Sequence, residues 1–124
     1  MILGVGVDIV SNLRIEEAVQ TFDAFLERIY TPEEIKYCYK RAKPFPSLAA
    51  RFAAKEAMIK AIPSRETIPM TEIEVVVEDN GQPSIHPGKT LKEELDKAGA
   101  TAIHLSISHE KTYSVAYVVI EKAS

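Results

Sequence analysis

Residues Ile2 to Val10 form an apolar run, rich in Val and Ile, that is broken by a single charge at Asp8. A run of this kind reads as a strand covered on both faces, so the rest of the chain must supply material for both sides of it. Gly4 and Gly6 weaken the strand intrinsically and suggest that other backbone comes close there. Asp8 is the anomaly. An ionised carboxylate in apolar surroundings costs several kcal/mol unless it is paired, coordinated or at the strand's end. Either Asp8 lies where the strand meets solvent, capping the helix that follows, or it is a metal ligand or an acid–base group.

The remaining elements follow from periodicity. Leu13 to Ile29 reads as one helix with a core stripe of Ile15, Val19, Phe22, Leu26 and Ile29. Thr31-Pro32-Glu33-Glu34 starts a second, short helix ending near Arg41, with Thr31 and Glu34 as a capping box. Ser47 is expected to cap a third helix that runs to about Ile62 and is stopped by Pro63. Thr71 to Glu78 alternates as a half-exposed strand, with Ile73, Val75 and Val77 on one face. Asn80-Gly81 is a hairpin turn leading into Ser84-Ile85-His86. Thr90 and Glu93 form another capping box, for a helix that Gly99 ends. Ala102 to Ser108 and Tyr113 to Glu121 are the closing strands. The order β-α-α-α-β-β-α-β-β describes an α+β fold with a largely antiparallel sheet packed with helices, and residues 1–124 make one domain.

Composition excludes several function classes. With 124 residues a second independent core is not expected. The net charge of -3 argues against broad nucleic-acid binding. One cysteine, Cys38, cannot staple the chain, and it reads as an inert thiol. No apolar run approaches the ~18 residues of a membrane span. Met1-Ile2-Leu3-Gly4 leads into a strand and not a signal peptide, so a cytoplasmic location is expected.

Chemistry concentrates in three places. The first is Asp8. The second is the alanine-rich helix Arg51-Phe52-Ala53-Ala54-Lys55-Glu56-Ala57-Met58-Ile59-Lys60-Ala61, whose small side chains permit close approach. Glu56 and Lys60 at i,i+4 are either a surface pair worth a few tenths of a kcal/mol or a cation site beside an anion site. The third is Leu105-Ser106-Ile107-Ser108-His109-Glu110, in which His109 is a solvated turn residue, a phosphate contact or a proton relay. His86 and His104 have weaker claims, and no zinc-ligand spacing exists. The chain carries no Walker loop, dinucleotide fingerprint or nucleophile elbow.

In order and spacing, three segments resemble the signature motifs of the holo-acyl-carrier-protein synthases, the small bacterial-type 4′-phosphopantetheinyl transferases. They are Gly4-Val5-Gly6-Val7-Asp8-Ile9-Val10, Arg51 to Ala57 with Lys60-Ala61, and Ser106-Ile107-Ser108-His109. The resemblance spans essentially the whole chain, and the middle motif is the most specific part of it. It implies Mg2+-dependent transfer of 4′-phosphopantetheine from coenzyme A to a serine of apo acyl carrier protein, releasing adenosine 3′,5′-bisphosphate and serving fatty acid biosynthesis. It also implies a homotrimer with an active site at each subunit interface.

Carried over residue by residue, it makes Asp8 and Glu56 the metal ligands. Magnesium takes few protein carboxylates and completes its shell with water and substrate phosphate. Lys60 becomes the candidate for the diphosphate, Arg51 and His109 candidates for coenzyme A phosphates, and Lys55 a weaker one. The base that takes the serine proton stays open between a water on the metal and the two carboxylates. Members of the family often carry a glycine-containing loop where this chain has Pro63-Ser64-Arg65-Glu66-Thr67-Ile68-Pro69, which puts contacts from that loop in doubt. Asn80-Gly81-Gln82-Pro83 looks like the family's hairpin, near which adenine is expected.

The first helix adds an independent sign of a partner. A second stripe, roughly 100° from the core stripe, holds Arg14, Ala18, Thr21, Phe25 and Arg28. Either Phe25 packs under a neighbouring loop, or it anchors an acidic partner helix that Arg14 and Arg28 steer. Two other functions compete with the transferase: a metal-dependent phosphohydrolase using the same carboxylates, and a non-catalytic trimeric module that binds an acidic protein.

Overall fold

A computed structural model describes all 124 residues. Strand β1 (Ile2–Ser11) is followed by four helices: α1 (Asn12–Thr21), α2 (Phe25–Ile29), α3 (Pro32–Tyr39) and α4 (Pro44–Ala61). A short 3-10 turn at Met70–Glu72 leads into the hairpin β2 (Ile73–Val77) and β3 (Pro83–Pro87). Helix α5 (Lys89–Ala98) and the strands β4 (Ala100–His109) and β5 (Tyr113–Lys122) complete the chain. All pairings are antiparallel, but they make two sheets, β1-β5-β4 and β2-β3. The expected α+β fold with an antiparallel sheet is what the structure shows.

Helix α4 lies at the centre, covering the inner face of the larger sheet. Its alanines Ala53, Ala54, Ala57 and Ala61 are buried, against Ala116, Val118 and Ile120 of β5. The reason for so much alanine is visible at the glycines of β1. A Cβ on Gly4 would stand 1.9 Å from the Ala61 carbonyl oxygen, and one on Gly6 1.9 Å from that of Ala57. Two strand residues rise about 6.8 Å and four helical residues about 6 Å, so glycine and alanine keep step along the crossing. The same alternation turns Asp8 toward α4, one further step along.

The elements depart from the sequence reading in four places. The helix expected over Leu13 to Ile29 is interrupted: Phe22 adopts an extended conformation, and α2 begins afresh at Phe25. The break exchanges two aromatic roles. Phe22, assigned to the core stripe, is 63% exposed, whereas Phe25 turns inward. Ser47 does not cap α4, which starts one turn earlier with Pro44 in its first turn. The Thr90–Glu93 capping box does not form. Instead Glu72 Oε1 accepts from the backbone N–H groups of Thr90 and Leu91, and its side chain fills the space that a Cβ on Gly88 would need. The strand expected from Thr71 begins only at Ile73, after the 3-10 turn.

Candidate active site

Asp8, Glu56 and Lys60 converge. Asp8 and Glu56 line one cleft of about 280 Å³, with Ile9, Val10, Arg14, Ile15, Ala18, Phe25 and Phe52 as its other walls. Lys60 Nζ donates to Asp8 Oδ1 at 3.1 Å and to the Val7 carbonyl at 3.0 Å. The Asp8 side chain is only 18% exposed. Its burial is therefore compensated by an ammonium, which answers the cost that a carboxylate meets in an apolar strand.

No group of three or more His, Cys, Asp or Glu side chains could hold a metal on its own. Two hard carboxylates on rigid elements beside a lysine do fit magnesium, which leaves most of its shell to water and substrate phosphates. Zinc, which asks for three or four nitrogen or sulfur ligands, finds none here.

Arg51 and His109 lie elsewhere. They line a second cleft of about 230 Å³ with Tyr37, Arg41, Ser47, Ala50, Val77, Gly81, Pro83 and Ile107, sharing no wall residue with the first. Arg51 is 3% exposed, and its guanidinium sits 4.4 Å from the Tyr37 ring centroid. Its Nη1 reaches the Ser47 carbonyl at 3.5 Å, while Nε is buried with no partner. A buried donor left open is costly, and the guanidinium brings a fixed positive charge to the wall of this cleft, which favours an anion there. The turn that follows His109 is held by Asn12, whose Nδ2 donates to the Glu110 and Lys111 carbonyls. Asn12 Oδ1 in turn accepts from the buried Ser114 hydroxyl.

Lys55 requires a correction. Its side chain is fully buried, and its three protons go to Glu34 Oε1 (2.8 Å), the Met70 carbonyl (2.9 Å) and the Ile73 carbonyl (2.8 Å). Burial pulls its pKa below the ordinary lysine range, with the Glu34 carboxylate opposing. A lysine committed in this way is not a phosphate contact. The docking stripe also changes. Arg14 and Arg28 are exposed, but the break places them on different helices, and Phe25 is half-buried against Phe52 and Tyr30 at 6.3 Å. Phe25 is thus no outward anchor; with Arg14 and Ala18 it forms the wall of the Asp8 cleft.

Sequence reasoning missed Glu34, Tyr37 and Asn12. The local pattern around Glu34 shows only a cap, and that cap forms. Its second role depends on a lysine 21 residues away, which no local pattern reveals.

The 4′-phosphopantetheinyl transferase superfamily model matches residues 4–118. The chain is 46% identical to the holo-[acyl-carrier-protein] synthase of Koribacter versatilis, over 98% of this chain and 99% of that one. Among solved structures, the Neisseria meningitidis holo-[acyl-carrier-protein] synthase superposes with a TM-score of 0.88 at 38% identity, covering 98% of this chain and all of that one. The Bacillus anthracis synthase in complex with CoA (3′,5′-ADP) gives a TM-score of 0.81 at 35% identity, covering 99% of each chain.

The chain therefore belongs to the 4′-phosphopantetheinyl transferase superfamily. Within it, the chain falls among the holo-[acyl-carrier-protein] synthases, enzymes that carry out phosphopantetheinyl transfer. No helix is long and apolar enough to cross a membrane.

Proposed function

We propose that the enzyme transfers 4′-phosphopantetheine from coenzyme A to a serine of apo acyl carrier protein, that it depends on Mg2+, and that it releases adenosine 3′,5′-bisphosphate. One observation carries the reading: the carboxylates Asp8 and Glu56 share a cleft with Arg14, Ala18 and Phe25 of the first two helices. A protein docked on those helices would present a hydroxyl directly to the carboxylates. Water-using hydrolysis needs no such shared wall, and a non-catalytic module needs no carboxylate pair beside Lys60.

In the reaction the serine oxygen bonds to the β-phosphorus of coenzyme A, and the bond from that phosphorus to the bridging pyrophosphate oxygen breaks. The serine proton passes to a base in the cleft, and the bisphosphate leaves with the bridging oxygen. Asp8 and Glu56 would hold Mg2+, which supplies charge neutralisation for the pyrophosphate. Lys60, fixed by Asp8 and the Val7 carbonyl, stands ready to bind the diphosphate. Most of the acceleration then comes from positioning and electrostatics. Arg14 and Arg28 steer the acidic carrier protein.

The homotrimer belongs to the same proposal. The outer face of the three-stranded sheet is apolar and bare along β1 and β5, where Val5, Val7, Ile9 and Tyr117 are 49%, 52%, 65% and 46% exposed, and turns polar at β4 with His104, Ser106 and Ser108. They stand in rows across the register, Val5 beside Val119, Val7 beside Tyr117 and Ile9 beside Val115. A continuous apolar face of this kind marks an interaction surface. Copies of the chain would cover it, and the Arg51 cleft of one copy would then serve the Asp8 cleft of the next. The product supports fatty acid biosynthesis, a cytoplasmic process.

The test is the mass of apo carrier protein incubated with enzyme, coenzyme A and MgCl2. A gain of one phosphopantetheine that disappears with EDTA and returns with excess Mg2+ is expected. No gain under any metal condition would reject the transferase reading.

A further inference from the structure

The Glu34–Lys55 pair is the polar core of the fold, and the reaction as described makes no use of it. Both side chains are 0% exposed. Glu34 Oε1 accepts from Lys55 Nζ and from the Thr31 N–H at 3.0 Å, and Oε2 accepts from the Val75 N–H at 2.9 Å. Lys55 closes the Met70 and Ile73 carbonyls. The pair thus joins α3, α4, the 3-10 turn and β2. The β2-β3 hairpin pairs with no other strand, so these bonds, with the Thr31 hydroxyl donating to Glu74 Oε2 at 2.7 Å, are its polar tether to the helices.

What the tether aligns is the Arg51 cleft. Tyr37 lies one turn beyond Glu34 on α3, and Arg51 lies one turn before Lys55 on α4. The ion pair and the Tyr37–Arg51 stack are therefore successive rungs between the same two helices. The far end of the hairpin supplies Val77, Gly81 and Pro83 to that cleft. The Asp8 cleft is held differently, by β1 against α4, and shares none of these groups.

We infer that Glu34 and Lys55 are positioning residues for the phosphate-binding cleft: they set the α3–α4 register and the hairpin position that place Arg51, Tyr37 and Gly81 around coenzyme A. The inference rests on the reading that this cleft holds coenzyme A, which an Arg51→Ala control tests separately.

The experiment is steady-state kinetics on Glu34→Gln and on the double variant Glu34→Gln, Lys55→Met. Glu34→Gln keeps an acceptor for Lys55 and turns an amide NH2 toward the Val75 N–H, so it loosens the hairpin selectively. The double variant leaves no unpaired charge. Each should raise the KM for coenzyme A about tenfold and leave the KM for carrier protein and kcat within about twofold. Amide exchange should quicken over residues 73–87 but not over β1. A merely structural role would lower the Tm without separating the two KM values, and that outcome, in whichever variant folds, would overturn the inference. Failure of both to fold would overturn it as well, since the pair would then hold the whole fold. If Arg51→Ala leaves the coenzyme A KM unchanged, the assignment of the cleft fails instead.

Discussion

The two flanks of α4 solve the same problem by opposite means. Toward β1 the helix presents Ala57 and Ala61, and the strand answers with Gly6 and Gly4, so the contact is backbone on backbone. Toward α3 and the hairpin it presents Lys55 and Arg51, which meet Glu34 and Tyr37 through an ion pair and a cation–π contact. The first flank has no room for one added methyl group. The second is held by charges: the burial of Lys55 is tolerable because each of its three protons has an acceptor, whereas Arg51 rests on the Tyr37 ring and one long bond to the Ser47 carbonyl. The close-packed flank carries the carboxylates that would hold the metal. The charged flank carries the proposed anion site, lined by Arg51 and His109.

The comparison can be broken from either side. The largest effect is expected at Glu56. Glu56→Gln should reduce turnover on the order of a thousandfold, the equivalent of several kcal/mol of lost charge stabilisation, with an unchanged far-UV spectrum and melting temperature. Mixing it with Arg51→Ala under exchange conditions should restore measurable turnover, because each variant would bring the intact flank the other lacks. Mixtures as inactive as their components would place both clefts in one protomer's site.

Next is Gly6→Ala. With a carbonyl oxygen 1.9 Å from the new methyl group, strand and helix must separate at a cost of about 3 kcal/mol or more. In thermal melts this reads as a drop of roughly 10 °C. A smaller third effect sharpens the role of the outer wall. Arg14→Glu should raise the KM for carrier protein about fivefold and leave that for coenzyme A unchanged, as expected when a rim charge reverses. Equal changes in both constants would refute a docking role. The smallest effect lies behind the charged flank, where burial pushes the Cys38 thiol up to about 11. At pH 8 the native protein should resist iodoacetamide and take up one equivalent only in denaturant.

Much of this was legible from local pattern. The strands declare themselves by alternation, as at Ile73, Val75 and Val77, and Gly99 ends α5 with the left-handed φ of 80° that glycine allows. Asp8 was legible as the one charge in an apolar strand, and its meeting with Glu56 and Lys60 followed from the motif resemblance; its ion pair with Lys60 was not legible in the sequence. The break after Thr21 was not legible either, because a wheel of regular helical turns cannot see the Phe25–Phe52 stack that rewards it. Nor was the inward turn of Lys55: beside Glu56 and Lys60 it looks like one more solvated charge, and only a distant carboxylate decides otherwise. The cap at Thr90 failed for the same reason, since Glu72 reaches α5 from another element, whereas Ser47 is bypassed because α4 already begins at Pro44.

One consequence concerns how the protein is made. β1, which bears Asp8, has β5 as its only partner strand, with Ile2 opposite Glu121 and Val10 opposite Ser114. At a ribosome adding about 5–20 residues per second, the interval between the two strands is on the order of ten seconds. For that time a Val- and Ile-rich segment waits with its hydrogen-bonding edge unmet. Closure of so long a loop also sets a slow folding step. Asp8, the carboxylate proposed to hold the metal, is therefore synthesised well before the strand that fixes its backbone, and the Asp8 cleft takes its final form only once β5 has paired with β1.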